Sequence, residues 1–245
     1  MNTLYTSRIT GWLQQLVAVF VLSMVACGVS MAQTMPTKIG IIGTGNIGGG
    51  LARHWANAGY ELVISSRHPE ELEALAAELG DKVRTGTPRE AAAFGEVVVV
   101  SVPYAATPQI GTDFAEELKG KVILDTGNPF ERRDGPMAVD ALAKGVGIAS
   151  QEFLKGTHVV RAYNCIPFRS LADDANREPE RVAIPIAGDD AAALEVAKKL
   201  VMDTGFDPVV VGSLAQSGVF ELGQPLASGQ FTAKEMRAKM EELGL

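Results

Sequence analysis

The sequence predicts an α/β protein built on a doubly wound, mostly parallel β-sheet. Short runs rich in β-branched residues alternate with helical segments, which is typical of this fold class. The runs at 97–100 and 209–211 consist of valine only, as strands covered by helices on both faces require. The predicted strands are 38–42, 61–65, 83–85, 97–102, 122–125, 158–163, 182–187 and 208–211.

Three predicted helices each end at a glycine, which is the residue preferred in a left-handed helix cap. They cover 46–58 before Gly59, 69–79 before Gly80, and 191–204 before Gly205. Asp189 or Asp190 is expected to cap the start of the third helix. The remaining segments are a long loop at 128–147, rich in Pro and Gly, and a surface helix from Thr232.

Composition excludes several classes of function. The 22 Lys and Arg residues are outnumbered by 29 Asp and Glu, which gives a net charge of −7 and no basic run for nucleic acid. Cys27 and Cys165 form no CxxC pair. The three histidines, His54, His68 and His158, are scattered, so no metal site is predicted.

The first 34 residues differ from the rest of the chain. Arg8 is the only charge before Lys38, an apolar run covers 16–28, and Ser30-Met31-Ala32 places small residues two apart. This pattern is typical of a secretory signal peptide. We therefore expect residues 1–32 to be a signal peptide or membrane anchor, and the protein to be exported to the periplasm.

Two alternatives for the leader stay open. Met24-Val25-Ala26-Cys27 resembles a lipobox, so that Cys27 would become the lipidated N-terminus of a lipoprotein. Translation could instead start at Met35, which leads directly into the first strand and would make the protein cytoplasmic.

A glycine pattern follows the first predicted strand and opens the first predicted helix. Gly43, Gly45 and Gly48 form Gly-x-Gly-x-x-Gly, in the strand-to-helix context that makes this motif specific. The first glycine permits the turn, the second admits a pyrophosphate, and the third allows close packing, while the helix N-terminus attracts the phosphate charge. The sequence therefore predicts a Rossmann-type dinucleotide site.

The end of the second predicted strand indicates which dinucleotide binds. Enzymes that use NAD place Asp or Glu there to hold the ribose 2′-hydroxyl. This chain has Ser66 and Arg67 instead, which can donate hydrogen bonds to a 2′-phosphate. The expected cofactor is NADP.

Three further strand ends are expected at the same edge of the sheet, facing the ribose and nicotinamide: 101–104, 125–129 and 162–167. Asn164 fits a turn role and a substrate-facing role equally well. Cys165 is interpreted as a small buried apolar residue, since no histidine is close to it in sequence.

The segments KIGIIGTGNIGGGLARHWANAGYELVISSR, VVVVSVPYAA and HVVRAYNCIP resemble two related groups. These are the deazaflavin (coenzyme F-420)-dependent NADP reductases and the oxidoreductase domain of six-transmembrane metalloreductases. The resemblance implies that residues 214–226 close over the nicotinamide. At Asn164 the reductases tend to have histidine, whereas asparagine resembles the metalloreductases. The resemblance implies cofactor contacts at Thr44, Gly45, Asn46, Ile47, Ser66, Arg67, Val102 and Pro103, and the glycine motif adds Gly43 and Gly48.

The resemblance implies an NADP-dependent oxidoreductase that passes hydride between NADP(H) and a flavin-like or deazaflavin acceptor. The nicotinamide carries this chemistry, so no proton-transfer residue is assigned. Two alternatives stay open: a reductase of imines or carbonyls resembling pyrroline-carboxylate reductases, and a non-catalytic NADPH-binding module. The expected partner is a small-molecule redox acceptor, and a homodimer is compatible with the sequence.

The predicted domains follow from these motifs. Residues 36–164 should form the NADP-binding Rossmann domain, and residues 165–245 a short α/β extension that packs on it.

Overall fold

A computed structural model of the protein describes residues 37–227 and 230–245. The predicted signal peptide, the lipidation site at Cys27 and the alternative start at Met35 lie outside the described residues. Among the residues that are described, no helix is long and apolar enough to span a membrane.

The centre of the molecule is one eight-stranded sheet, which confirms the predicted α/β class. The strand order is β3-β2-β1-β4-β5-β6-β7-β8, and all neighbouring strands are parallel except β6 and β7. The first six strands have the order of a dinucleotide-binding fold. The strands are β1 Lys38–Ile42, β2 Glu61–Ser65, β3 Val83–Gly86, β4 Val97–Val100, β5 Val122–Asp125, β6 His158–Arg161, β7 Ala183–Gly188 and β8 Asp207–Gly212.

Helices cover both faces of this sheet. They are α1 Asn46–Asn57, α2 Glu73–Leu79, α3 Pro88–Phe94, α4 Thr107–Asp113, α5 Ala115–Leu118, α6 Glu131–Asp134, α7 Pro136–Lys144, α8 Val146–Phe153, α9 Phe168–Asp173, α10 Ala191–Asp203 and α11 Ala233–Glu242. Three 3₁₀ segments, Pro69–Leu72, Tyr104–Ala106 and Leu214–Phe220, complete the described elements.

The core lies on the two faces of the sheet. On one face, Trp55 of α1 is fully buried and its indole N–H donates to the carbonyl oxygen of Leu200 in α10, 3.0 Å away. On the other face, Ala91 of α3 and Ile110 of α4 pack against the valines of β4. Because both faces are covered, the four valines of β4 are buried throughout, as predicted. The second valine run differs, since Val210 of the edge strand β8 is only half-buried.

Two predicted strands end earlier than expected. β4 stops at Val100 rather than at residue 102, and Pro103, which has no backbone N–H, follows three residues later. β6 stops at Arg161 rather than at residue 163, because Tyr163 adopts a φ of 61° that no extended strand permits. Both differences lengthen the loops at the carboxyl edge of the sheet, where the strands end.

The predicted loop at 128–147 is wrong. The structure has α6, α7 and the start of α8 there. Gly135 and Gly145 have φ of 70° and 97°, so they separate consecutive helices instead of marking irregular chain. Pro136 occupies the first turn of α7, where its missing N–H leaves no hydrogen bond unmade.

The C-terminal helix and the cap of α10 agree with the predictions. Asp190 accepts the N–H of Ala193 at 2.8 Å and so caps α10. Thr232 caps α11 in a reciprocal arrangement with Glu235, and the helix buries only Met236 against β8 and its neighbours.

Candidate active site

The turn between β1 and α1 is held against β2. Gly43 has a φ of 95°, a conformation that favours glycine. The backbone N–H groups of Gly43 and Thr44 both donate to the carbonyl oxygen of Ser65, at 3.1 Å each, and the Thr44 hydroxyl donates to the same oxygen. The glycine turn is therefore fixed by the last residue of β2.

The second and third glycines of the motif have different surroundings. A Cβ at Gly45 would meet nothing within 4 Å, so open space lies in front of it. A Cβ at Gly48 would lie 2.1 Å from the carbonyl oxygen of Gly43, so this position packs too closely for any side chain. Asn46 is exposed and Ile47 half-buried in the first turn of α1, which no side chain caps. These features fit a dinucleotide pyrophosphate.

Ser66 and Arg67 follow β2 directly, beside the glycine turn. The Ser66 hydroxyl oxygen accepts the N–H of His68 at 2.9 Å, which leaves its own hydrogen free to donate. Arg67 is exposed and makes no ion pair with any residue in the described part of the chain. Its guanidinium is thus available to a ligand bound at the turn.

The loop after β4 closes the other side of the turn. Val102 is half-buried and Pro103 is exposed. Val102 lies close to the glycine turn, since a Cβ added at Gly43 would be 2.7 Å from Val102 Cγ1. Tyr104 faces inward, and its hydroxyl contacts Ser150 Oγ at 2.9 Å and the Val146 carbonyl oxygen at 3.2 Å. Burial raises the pKa of Tyr104, so its proton stays on the phenol.

A buried charge cluster lies where β5 and β6 end, and sequence reasoning did not identify it. Arg161 is fully buried and donates to Asp125 Oδ2 at 2.9 Å and to the Gly127 carbonyl oxygen at 2.6 Å. Its other terminal nitrogen donates to both carboxylate oxygens of Glu221, at 2.8 and 3.0 Å. The cluster therefore joins the sheet to the segment that follows Leu214–Phe220.

The protonation of this cluster follows from burial and charge. Burial alone would lower the pKa of Arg161, but Asp125 and Glu221 reverse the effect and raise it, so the guanidinium is always charged. Burial raises the pKa of Glu221, with a further contribution from the Asp125 carboxylate, and Arg161 only partly opposes this. Two carboxylates thus share one cation.

Two asparagines connect the same loops. Asn128 Nδ2, after β5, donates to the backbone carbonyl oxygen of Asn164, after β6, at 2.6 Å. Asn164 Nδ2 donates to the Phe220 carbonyl oxygen at 3.2 Å and lies 3.4 Å from Glu221 Oε2. Phe220 and Glu221 thus reach the carboxyl edge of the sheet.

A small cavity lies beside these loops. It has a volume of about 160 Å³ and is lined by Cys165, Ile166, Pro167, Ser170, Val182, Ala183, Ile184, Pro185, Leu226 and Gln230. Burial raises the pKa of the Cys165 thiol to about 12, so it is not a thiolate nucleophile at neutral pH.

Residues 38–129 match the family described as NADP oxidoreductase, coenzyme F420-dependent. The F420-dependent NADP reductase of Methanothermobacter thermautotrophicus is 31% identical over 210 residues, covering 80% of this chain and 90% of that protein. The metalloreductase STEAP3 of Rattus norvegicus is 27% identical over 183 residues, covering 74% of this chain and 35% of that protein.

Solved structures agree with the fold. A Sinorhizobium meliloti protein of 28% identity superimposes with a TM-score of 0.71, covering 82% of this chain and 98% of that one. The glycine turn and the length of the sequence match together identify the chain: it belongs to the family of coenzyme F420-dependent NADP oxidoreductases and is an NADP-dependent oxidoreductase.

Proposed function

We propose that the protein transfers hydride between NADP(H) and a flavin-like or deazaflavin acceptor. The observation that carries the proposal is a pair of exposed aromatic rings beside the carboxyl edge. Phe130 and Phe168 are 43% and 47% exposed, and they are the two aromatic members of the eight exposed large apolar side chains among the described residues. They follow β5 and β6, whose loops are tied together by the bond between Asn128 and Asn164.

Each of these rings is accompanied by an arginine. The Arg133 guanidinium lies 4.9 Å from the centre of the Phe130 ring, and the Arg169 guanidinium 5.9 Å from that of Phe168. Aromatic side chains stack on flat ring systems, and guanidinium groups bind phosphate or carboxylate. Arg133 is already paired with Asp134, whereas Arg169 makes no ion pair with any described residue. Phe168 with Arg169 therefore suits a flat tricyclic ring that carries an anionic chain, and Phe130 offers a second aromatic surface beside it.

In this proposal the chain's own residues position and shield the reactants. Bound nicotinamide supplies the hydride chemistry. The glycine turn would hold the pyrophosphate, Ser66 and Arg67 the 2′-phosphate, and Val102 and Pro103 the adjoining wall of the site. Neither Tyr104 nor Cys165 offers a proton or a nucleophile, since both are buried with raised pKa values. Rate enhancement then comes from orientation and exclusion of water.

A screen of acceptors tests this proposal. Purified protein is mixed with NADPH and, in parallel, a deazaflavin, FMN, FAD, a ferric chelate or a cyclic imine, and the loss of NADPH absorbance is followed. We expect turnover with a deazaflavin or flavin and none with the imine. Phe168→Ala should raise the acceptor KM, whereas Met202→Ala, which removes an equally exposed side chain on α10, should not. Imine reduction without flavin would contradict the proposal, as would NADPH binding with no turnover.

The cofactor preference is tested at Arg67. We expect NADPH to bind at least about tenfold more tightly than NADH, because one or two charge-assisted hydrogen bonds contribute roughly 1.5–3 kcal/mol each. Arg67→Ala should remove most of this preference and leave NADH binding nearly unchanged. Arg237→Ala, which removes an exposed arginine of α11, is the matched control. Equal affinities of the parent protein for both cofactors, measured by calorimetry, would contradict the assignment.

A further inference from the structure

Unsatisfied buried polar atoms concentrate at the carboxyl edge of the sheet. Among the described residues, five buried side-chain nitrogen or oxygen atoms have no hydrogen-bond partner. Three of them belong to Asn128, Asn164 and Arg161, which are linked through the loops after β5 and β6. Folded proteins pair nearly all such atoms, so a cluster of exceptions in one place points to a missing ligand.

The orientation of both asparagine amides is determined by their neighbours. Asn164 Nδ2 faces two acceptors, the Phe220 carbonyl oxygen and the Glu221 carboxylate, and Asn128 Nδ2 faces the carbonyl oxygen of Asn164. An oxygen in either place would meet another oxygen. The unpaired atoms are therefore the two Oδ1 oxygens, and each can only accept a hydrogen bond.

Burial of these two acceptors costs free energy unless a ligand donates hydrogen bonds to them. Asn164 is 4% exposed, and both Oδ1 atoms are buried. A buried acceptor that lacks a donor has lost its hydrogen bonds to water without compensation. A bound N–H group would replace one of these hydrogen bonds.

The position in the sheet indicates which ligand supplies the donor. A doubly wound sheet holds the two halves of a dinucleotide on either side of the point where the strand order reverses, here between β1 and β4. The glycine turn and Arg67 belong to the β1–β2 side, which takes the adenosine half. The ends of β5 and β6 belong to the other side, which takes the nicotinamide half.

We infer that Asn128 Oδ1 and Asn164 Oδ1 form an acceptor site for the carboxamide N–H₂ of the nicotinamide ring, and so orient the ring for hydride transfer. This inference rests on NADP binding along the carboxyl edge, as proposed above. The carboxamide offers two N–H donors, and the two amides offer two acceptors. Both asparagines orient the ring in this assignment: Asn164 is held by Phe220 and Glu221, and Asn128 by the backbone carbonyl oxygen of Asn164.

The acetylpyridine analogue of NADP⁺, in which a methyl ketone replaces the carboxamide, provides the test because it keeps the ring but lacks both donors. Calorimetry should give the parent protein an affinity for NADP⁺ about tenfold higher than for the analogue. In Asn164→Leu and Asn128→Leu the ratio of the two affinities should fall to about twofold or less. The ratio should fall mainly because NADP⁺ binds more weakly, while binding of the analogue changes little.

Thr157→Val is the matched control, because it removes a buried hydroxyl that donates to the Leu154 carbonyl oxygen at the opposite end of β6. It should keep the full ratio. Asn128 is partly exposed, so its variant remains informative if the one at Asn164 does not fold. Equal binding of NADP⁺ and the analogue by the parent protein overturns the inference, as does an unchanged ratio in the leucine variants. Failure of the parent protein to bind NADP⁺ at all would contradict the proposed function instead.

Discussion

Replacing Arg161 by methionine is expected to lower the free energy of unfolding by about 3–5 kcal/mol, because the change leaves two buried carboxylates without a counter-charge. Asp125 and Glu221 would then repel each other, and the Gly127 carbonyl oxygen would lose its donor. Arg53→Met removes an exposed arginine whose partner is Glu78, and it should cost less than about 1 kcal/mol. Chemical denaturation of both variants measures the difference.

The pH dependence distinguishes a charge effect from lost packing. Burial raises the pKa of Glu221 in the folded parent protein. Protonation of Glu221 therefore increases the free energy of unfolding at low pH. This contribution is lost as the pH rises above the ordinary glutamate pKa of about 4.3. Without Arg161 the Glu221 carboxylate should bind a proton still more readily. The loss of unfolding free energy caused by Arg161→Met should therefore become smaller as the pH is lowered. A loss that does not depend on pH would contradict the charge explanation.

Replacing Gly45 by valine should abolish dinucleotide binding while leaving the fold intact. The backbone at Gly45 has φ −87° and ψ −154°, which any residue adopts, and a Cβ there meets no protein atom within 4 Å. The branched side chain would instead occupy the space required by the pyrophosphate. Fluorescence titration with NADPH should show no binding, while far-UV circular dichroism and the melting temperature stay close to those of the parent.

Gly48→Val provides the contrast at the next glycine of the motif. Its Cβ would lie 2.1 Å from the Gly43 carbonyl oxygen, so this variant should lose stability as well as binding. If Gly45→Val kept its affinity for NADPH, the pyrophosphate would have to lie elsewhere.

The sequence predicted the parts of the molecule that have local signals. Short runs rich in β-branched residues predicted the eight strands, and the Gly-x-Gly-x-x-Gly turn predicted the dinucleotide site. Ser66 and Arg67 predicted NADP. Each of these signals lies within a short stretch of neighbouring residues. The sequence does not reveal the helices within 128–147, because Gly135 and Pro136 are typical of loops, although proline is also favoured in the first turn of a helix.

The charge cluster could be predicted only in part. Arg161 stands out as a charge among the apolar residues of a buried strand, and such a residue requires a partner. Nothing in the local sequence connects it to Glu221, which lies 60 residues later. The unpaired oxygens of Asn128 and Asn164 likewise depend on which way each amide faces, and this is determined by the tertiary contacts.

The chain order of the cluster also has a consequence for synthesis. Domains fold as the chain emerges, starting from the N-terminal side. Strands β1 to β6 are complete at Arg161, well before Glu221 is translated. A nascent chain can therefore form the glycine turn and its six strands while Arg161 has only Asp125 as a partner. The second carboxylate arrives together with the segment that covers the carboxyl edge, so the candidate active site and the complete charge cluster form in one late step of folding.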